Sequence, residues 1–179
     1  MNKGVYPAEA WNPATGQWKT LASMERTRQY HSTALLLPDG RLLSAGGGIC
    51  GDCQRDSYLQ KNAEIFSPPY LFKKDGSNQL AARPVITTAP SVMRYNTTYG
   101  VLTPSPRKIT KVSLVRFGGV THSVNMDQQY QSLNFTVVNN GRINVTSPNN
   151  SRIAPPGRYM MFLIDDQGVP SLAKIMRVS

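Results

Sequence analysis

The chain has 179 residues, including 14 Gly and 13 Pro; 40% are hydrophobic, 17% are charged, and the formal net charge is +10. That length can bury one or two cores, but no apolar run approaches the roughly 18 residues of a membrane-spanning helix, and the opening MNKGVYPAEAWNP lacks the apolar stretch of a signal peptide. The 20 Lys and Arg are scattered in groups no longer than two, which argues for solvated faces against a nucleic-acid footprint and leaves an acidic extracellular surface or a polysaccharide as the anionic partner.

In chain order, the first feature is a repeat. AEAWNP at 8–13 returns as AEIFSP at 63–68, and between them lie Trp18 and the stretch HSTALLLPDGRLLSAGGG. A repeat of roughly 50 residues, with a Gly run after a strand and an aromatic at a fixed offset, reads as a kelch-type propeller blade. Within it, Ala34 to Leu37 and Arg41 to Ser44 are expected to pair as a hairpin around Pro38-Asp39-Gly40. A blade cannot bury both faces by itself. Residues 1–82 are therefore expected to be about one blade, the end of a longer propeller whose earlier blades lie outside this chain.

Lys73 to Pro84 is polar, with a turn signal at Asp75-Gly76, and reads as a domain boundary. Beyond it, strands are expected near 84–88, 91–95, 98–102, 110–117, 132–138, 142–146, 158–164 and 172–178. NFTVVNNGRINVT forms a hairpin around Asn140-Gly141, and RYMMFLI has the continuous apolar character of a central strand buried on both faces. Seven or eight short strands without helical periodicity predict an Ig-like (E-set) sandwich over 83–179. The fold class is thus all-β, a partial propeller followed by a sandwich.

Two signals bear on the compartment. Asn96, Asn134, Asn144 and Asn149 each head an N-x-S/T acceptor sequence, which leans towards a secreted glycoprotein. Cys50 and Cys53, in CGDC, are the only cysteines. No βαβ pattern supports a redox dithiol, and no further Cys or His is near enough in sequence to complete a zinc site. A short disulfide stapling a Gly-rich loop and a pair of free thiols are the two readings left.

The chain has two histidines, His31 in YHSTA and His122 in VTHSVN. Both fall at strand or turn boundaries, where functional groups are displayed, although a hydrogen-bonded structural histidine would also fit there. Tyr30 directly precedes His31. Two imidazoles and a phenol form an N/O donor set that suits Cu(II).

Taken together, YHSTALLLPDGRLLSAGGGICGDC, AEIFSPPYLF, RPVITTAP, THSVNMDQ and PPGRYMMFLIDDQGVPS resemble the galactose oxidase family of copper radical oxidases, from about Ala8 to the C-terminus. The resemblance is to the last propeller blade and the C-terminal Ig-like domain. It implies that Tyr30 is an axial copper ligand and the acceptor of the substrate hydroxyl proton. It implies that His31 and His122 are the two histidine ligands, and that Cys50 and Cys53 form a local disulfide. The family's remaining ligand, a tyrosine cross-linked to a cysteine that serves as the radical cofactor, belongs to earlier blades and has no counterpart here.

The function this implies is oxidation of a primary alcohol to an aldehyde with reduction of O2 to hydrogen peroxide. The partners would be a small alcohol or carbohydrate and O2, together with the missing N-terminal blades. The other reading is a non-catalytic secreted β-protein or fragment, a carbohydrate- or metal-binding module without the radical cofactor.

Overall fold

The computed structural model describes residues 4–48, 59–122 and 124–179, and its regular elements are strands and two single-turn 3-10 helices. The first part of the chain contains β1 (Pro7–Asn12), β2 (Gln17–Ser23), β3 (Ser32–Leu36), β4 (Leu42–Gly46) and β5 (Ala63–Phe66). β1 and β2 form a separate antiparallel ribbon that sets Trp11 directly opposite Trp18, their ring centroids 6.5 Å apart. Strands β3, β4 and β5 form a three-stranded antiparallel sheet in that order. Both copies of the repeated A-E-x-x frame are strands, β1 and β5. Among the described residues, however, β1 pairs with β2 and not with the β3–β4–β5 sheet, so no closed four-stranded blade is formed.

The second part contains β6 (Val92–Met93), β7 (Thr98–Leu102), β8 (Ile109–Arg116), β9 (Val120–Thr121), β10 (Val124–Asn125), β11 (Tyr130–Leu133), β12 (Phe135–Asn139), β13 (Arg142–Thr146), β14 (Gly157–Asp165) and β15 (Lys174–Val178). They build a sandwich of a five-stranded sheet, β11-β8-β14-β15-β6, and a three-stranded sheet, β12-β13-β7. Strand alternation sets the core. Val112 and Leu114 of β8, Ile143 and Val145 of β13, Tyr159, Met161 and Leu163 of β14, and Met176 and Val178 of β15 all point into one buried cluster.

β14 is the middle strand of its sheet, and its other face is covered too. Met160 and Phe162 pack with Val115 and with Leu36 of β3. The hairpin β3–β4 therefore lies over the outside of the sandwich, which explains why RYMMFLI is apolar without interruption. Backbone and side-chain bonds reinforce this seat. The Ala173 amide donates to the Pro38 carbonyl at 2.8 Å, and the Tyr70 hydroxyl donates to the Gly40 carbonyl. Arg83 donates to the carbonyls of Pro170 and Ser171 at 2.8 and 2.9 Å.

Three strand expectations change. Residues 84–88 contribute only an isolated bridge from Thr88 to Leu102; prolines at 84 and 90 remove ladder donors at both ends of the segment. The strand near 91–95 shortens to the two residues of β6. The segment 132–138 divides at Asn134 into β11, in the five-stranded sheet, and β12, in the three-stranded one. A chain that changes sheets must leave one ladder before joining the other. At the crossing, the Asn134 carbonyl accepts from the Thr146 amide at 2.9 Å.

Candidate metal centre

The stretch between β2 and β3 carries Tyr30 and His31, and it is held from below. Arg28 is nearly buried, with 3% of its side chain exposed. Its guanidinium donates to the Gly46 carbonyl at 3.0 Å, to the Asn62 carbonyl at 3.2 Å and to Glu64 Oε1 at 2.9 Å. Glu64, on β5, also accepts from the Glu25 amide at 2.8 Å and the Arg26 amide at 3.3 Å. The Glu25 amide bond, with the nearby Arg28 charge, holds the Glu64 carboxyl below the usual carboxylate range.

The glycine run after β4 forms the other support. Gly46, Gly47 and Gly48 all have positive φ. A Cβ on Gly47 would sit 3.1 Å from the Gln29 nitrogen, and one on Gly46 would sit 3.3 Å from the His31 carbonyl oxygen. The Gly48 amide donates to the Tyr30 carbonyl at 2.7 Å, and the Ser32 amide donates to the Gln29 carbonyl at 2.9 Å. The GGG run is thus the surface on which the turn Gln29–Ser32 rests. Within that turn His31 has φ 65°, a left-handed conformation that favours Gly or Asn.

His122 is presented by a different device. β9 and β10 pair antiparallel with Thr121 opposite Val124, and His122 directly follows the end of β9. His122 has φ 55°, a left-handed conformation of the kind found at hairpin tips. The hairpin stem is braced by Arg116 and Asp127, 3.0 Å apart, and by the Met126 amide, which donates to the Gly119 carbonyl at 3.1 Å. β3 runs beside both β9 and β10, so the two histidines meet. The Tyr30 and His31 ring centroids are 4.0 Å apart, Tyr30 and His122 5.2 Å, and His31 and His122 5.4 Å. The His122 ring lies at 63° and 62° to the other two. Thr121 Oγ1 stands 2.6 Å from His122 Nδ1.

Two imidazoles and a phenol from segments far apart in sequence thus face one another at an accessible surface, with Tyr30 41% exposed. This donor set fits a copper ion: neutral imidazole nitrogen and phenolic oxygen are ligands it favours. Among the described residues, no group of three or more His, Cys, Asp or Glu side chains comes together; this cluster holds two histidines, and its third donor is a phenol. Cys50 and Cys53 lie outside the described residues. Of the acceptor asparagines, Asn96, Asn134 and Asn149 are exposed; Asn144 is half-buried and accepts from Arg142 Nε at 3.2 Å.

The sequence did not single out Arg28, Glu64 or Thr121. Glu64 was detectable in principle, because it is the Glu of the repeated A-E-x-x frame and matches Glu9. Thr121 could have been noticed only as the neighbour of a histidine.

The family described as Galactose oxidase-like, Early set domain matches residues 83–178, over half of the chain. The chain is similar to galactose oxidase from Gibberella zeae, 43% identical over 155 residues that cover 85% of this chain and 22% of that protein. It is also similar to aldehyde oxidase GLOX from Vitis pseudoreticulata, 34% identical over 175 residues that cover 88% of this chain and 31% of the relative. Among solved structures, a fungal alcohol oxidase in complex with copper superposes with a TM-score of 0.88 at 32% identity, covering 98% of this chain and 36% of that one. The chain spans about a fifth to a third of the length of these curated relatives.

Proposed function

From the premise that the chain belongs to the galactose oxidase-like family, we propose that it supplies the Tyr30, His31 and His122 side of a copper centre in a secreted oxidase of primary alcohols. The observation that carries this reading is the convergence of the three rings within 5.4 Å, from the turn before β3 and the β9–β10 hairpin. Similarity over most of the chain to a galactose oxidase, an aldehyde oxidase and a copper-bound alcohol oxidase supports it.

In the overall reaction the alcohol loses two electrons and two protons to become the aldehyde, and O2 gains both pairs to become hydrogen peroxide. Copper, when bound, supplies one-electron redox chemistry, with the second electron taken by the cross-linked tyrosine that the resemblance places in earlier blades. The residues of this chain do the rest of the work at their own atoms. His31 and His122 offer imidazole nitrogens. Tyr30 Oη takes the proton of the substrate hydroxyl, and a neighbouring divalent cation favours the phenolate form that this requires.

Residues 1–82 belong to this proposal as the end of a kelch-type propeller, and 83–179 as the Ig-like domain. The boundary is supported by the start of the family match at residue 83, and the propeller reading by the sequence repeat at 8–13 and 63–68. A Cys50–Cys53 disulfide and N-linked sugars at the exposed acceptors Asn96, Asn134 and Asn149 would follow from secretion. Intact mass of the secreted protein, before and after thiol alkylation and glycosidase treatment, reads both; two alkylated cysteines without reductant would reject the disulfide.

The direct test is copper titration followed by electron paramagnetic resonance. His31→Ala and His122→Ala should each abolish tight binding, since one imidazole and a phenol make a poor Cu(II) site. Tyr30→Phe should retain copper and lose oxidase activity in the full-length protein. Unchanged copper spectra in both histidine variants would overturn the assignment.

A further inference from the structure

We infer that Thr121 is a positioning residue for this centre: its hydroxyl holds His122 in the tautomer protonated on Nδ1, and so presents the Nε2 lone pair outward. Both the tautomer and its consequence for copper are argued from the reading above; the tautomer is tested without copper. Thr121 Oγ1 and His122 Nδ1 are 2.6 Å apart, a full hydrogen bond between neighbouring residues. A neutral imidazole carries one N–H and one lone pair, and the bond made at one nitrogen decides what the other can do. If the hydroxyl donated to Nδ1, Nε2 would carry the proton and could not ligate. If Nδ1–H donates to the hydroxyl, Nε2 is a free donor.

A ligand role for His122 requires the second arrangement, and the geometry of the hairpin is compatible with it. His122 is held at φ 55° directly after β9, where Thr121 is paired with Val124. The ring meets Tyr30 and His31 edge to face. Among the described residues, Nδ1 has its partner on its own strand, and the opposite nitrogen is the one left for a shared ligand. Ligating histidines usually donate their second N–H to an oxygen in this way, and losing that partner costs 10- to 100-fold in metal affinity.

The test has two independent arms. In the first, a two-bond 1H–15N correlation spectrum is recorded on the metal-free chain at about pH 8, where ordinary imidazoles are neutral. Wild type and Thr121→Ser should show His122 protonated on Nδ1, and Thr121→Val should shift it towards Nε2–H. In the second, copper is titrated and pulsed electron paramagnetic resonance reads the remote nitrogen of each imidazole. Thr121→Val should bind copper at least about 10-fold more weakly and change the coupling of one remote nitrogen, while Thr121→Ser stays near wild type. An Nε2–H tautomer in the wild type, or a Thr121→Val protein with unchanged affinity and couplings, would overturn the inference. Copper binding indifferent to His122→Ala would instead overturn the copper reading, and with it the ligand role of Nε2, while the metal-free spectrum still judges the tautomer.

Discussion

At the scale of single residues, both histidines occupy left-handed backbone, with φ 65° at His31 and 55° at His122. A position of this kind is ordinarily given to Gly or Asn, because a Cβ crowds the following carbonyl there. Placing an imidazole at two such positions, both in one cluster, trades backbone ease for display of a ring. The trade can be separated experimentally. His122→Asn suits the backbone and should unfold within about 1 kcal/mol of the wild type, yet bind no copper. His122→Val should unfold about 1–2 kcal/mol more easily, since a β-branched residue is a poor fit at positive φ. Denaturant unfolding and copper titration of the two variants check both statements; an Asn variant that keeps copper would remove His122 from the ligand set.

At the scale of elements, the segment from residue 24 to 31 has no ladder of its own and depends on Arg28 and Glu64 to bind it to β5 and to the end of β4. The Glu64 carboxyl is held below its ordinary value, chiefly by the Glu25 amide. A depressed folded-state value means that the unfolded chain binds the proton more readily. The contribution is therefore present above about pH 4.3, the ordinary glutamate value, and is lost as pH falls through the folded value. Glu64→Gln should flatten the acid limb of the stability profile below about pH 5, and at neutral pH it leaves the nearly buried Arg28 without its carboxylate, costing about 2–3 kcal/mol. Stability measured in denaturant between pH 3 and 7 checks this; equal slopes for both proteins would refute it. The strand pattern itself was readable at this scale where both ladder partners are close in sequence. The β12–β13 hairpin forms around Asn140-Gly141, and the β3–β4 pair forms around Pro38-Asp39-Gly40. Where a strand changes sheets, as at Asn134, the apolar pattern runs on and hides the break.

At the scale of the whole molecule, the two halves of the cluster are carried by separate sheets. Their relative position depends on Leu36 against Phe162 and Met160, on Arg83 at the Pro170 and Ser171 carbonyls, and on the Ala173 amide at Pro38. A metal bound by His31 and His122 would add a clip across that seam. Copper at 100 times its dissociation constant should stabilise the wild type by about 2.7 kcal/mol through mass action, and should slow proteolysis within 73–83. Neither effect should appear in His31→Ala. Thermal unfolding with and without copper, on both proteins, decides it. Stabilisation that survives in the variant would place the copper elsewhere.

The sequence by itself determined which residue types make up the candidate cluster, the all-β class, the change of character near residue 83 and most strands of the sandwich. These depend on chain-local quantities: alternation along a strand, turn residues at hairpin tips and adjacency in a motif such as YHS. Only the tertiary structure decided that the β9–β10 hairpin stands beside β3, that Thr121 meets Nδ1 of His122, that the GGG run supports the turn at 29–32, and that Arg28 reaches Glu64. Each of these joins groups whose approach is set by how two sheets close over the side chains between them, and a periodicity read along one strand carries no information about which other strand will cover it.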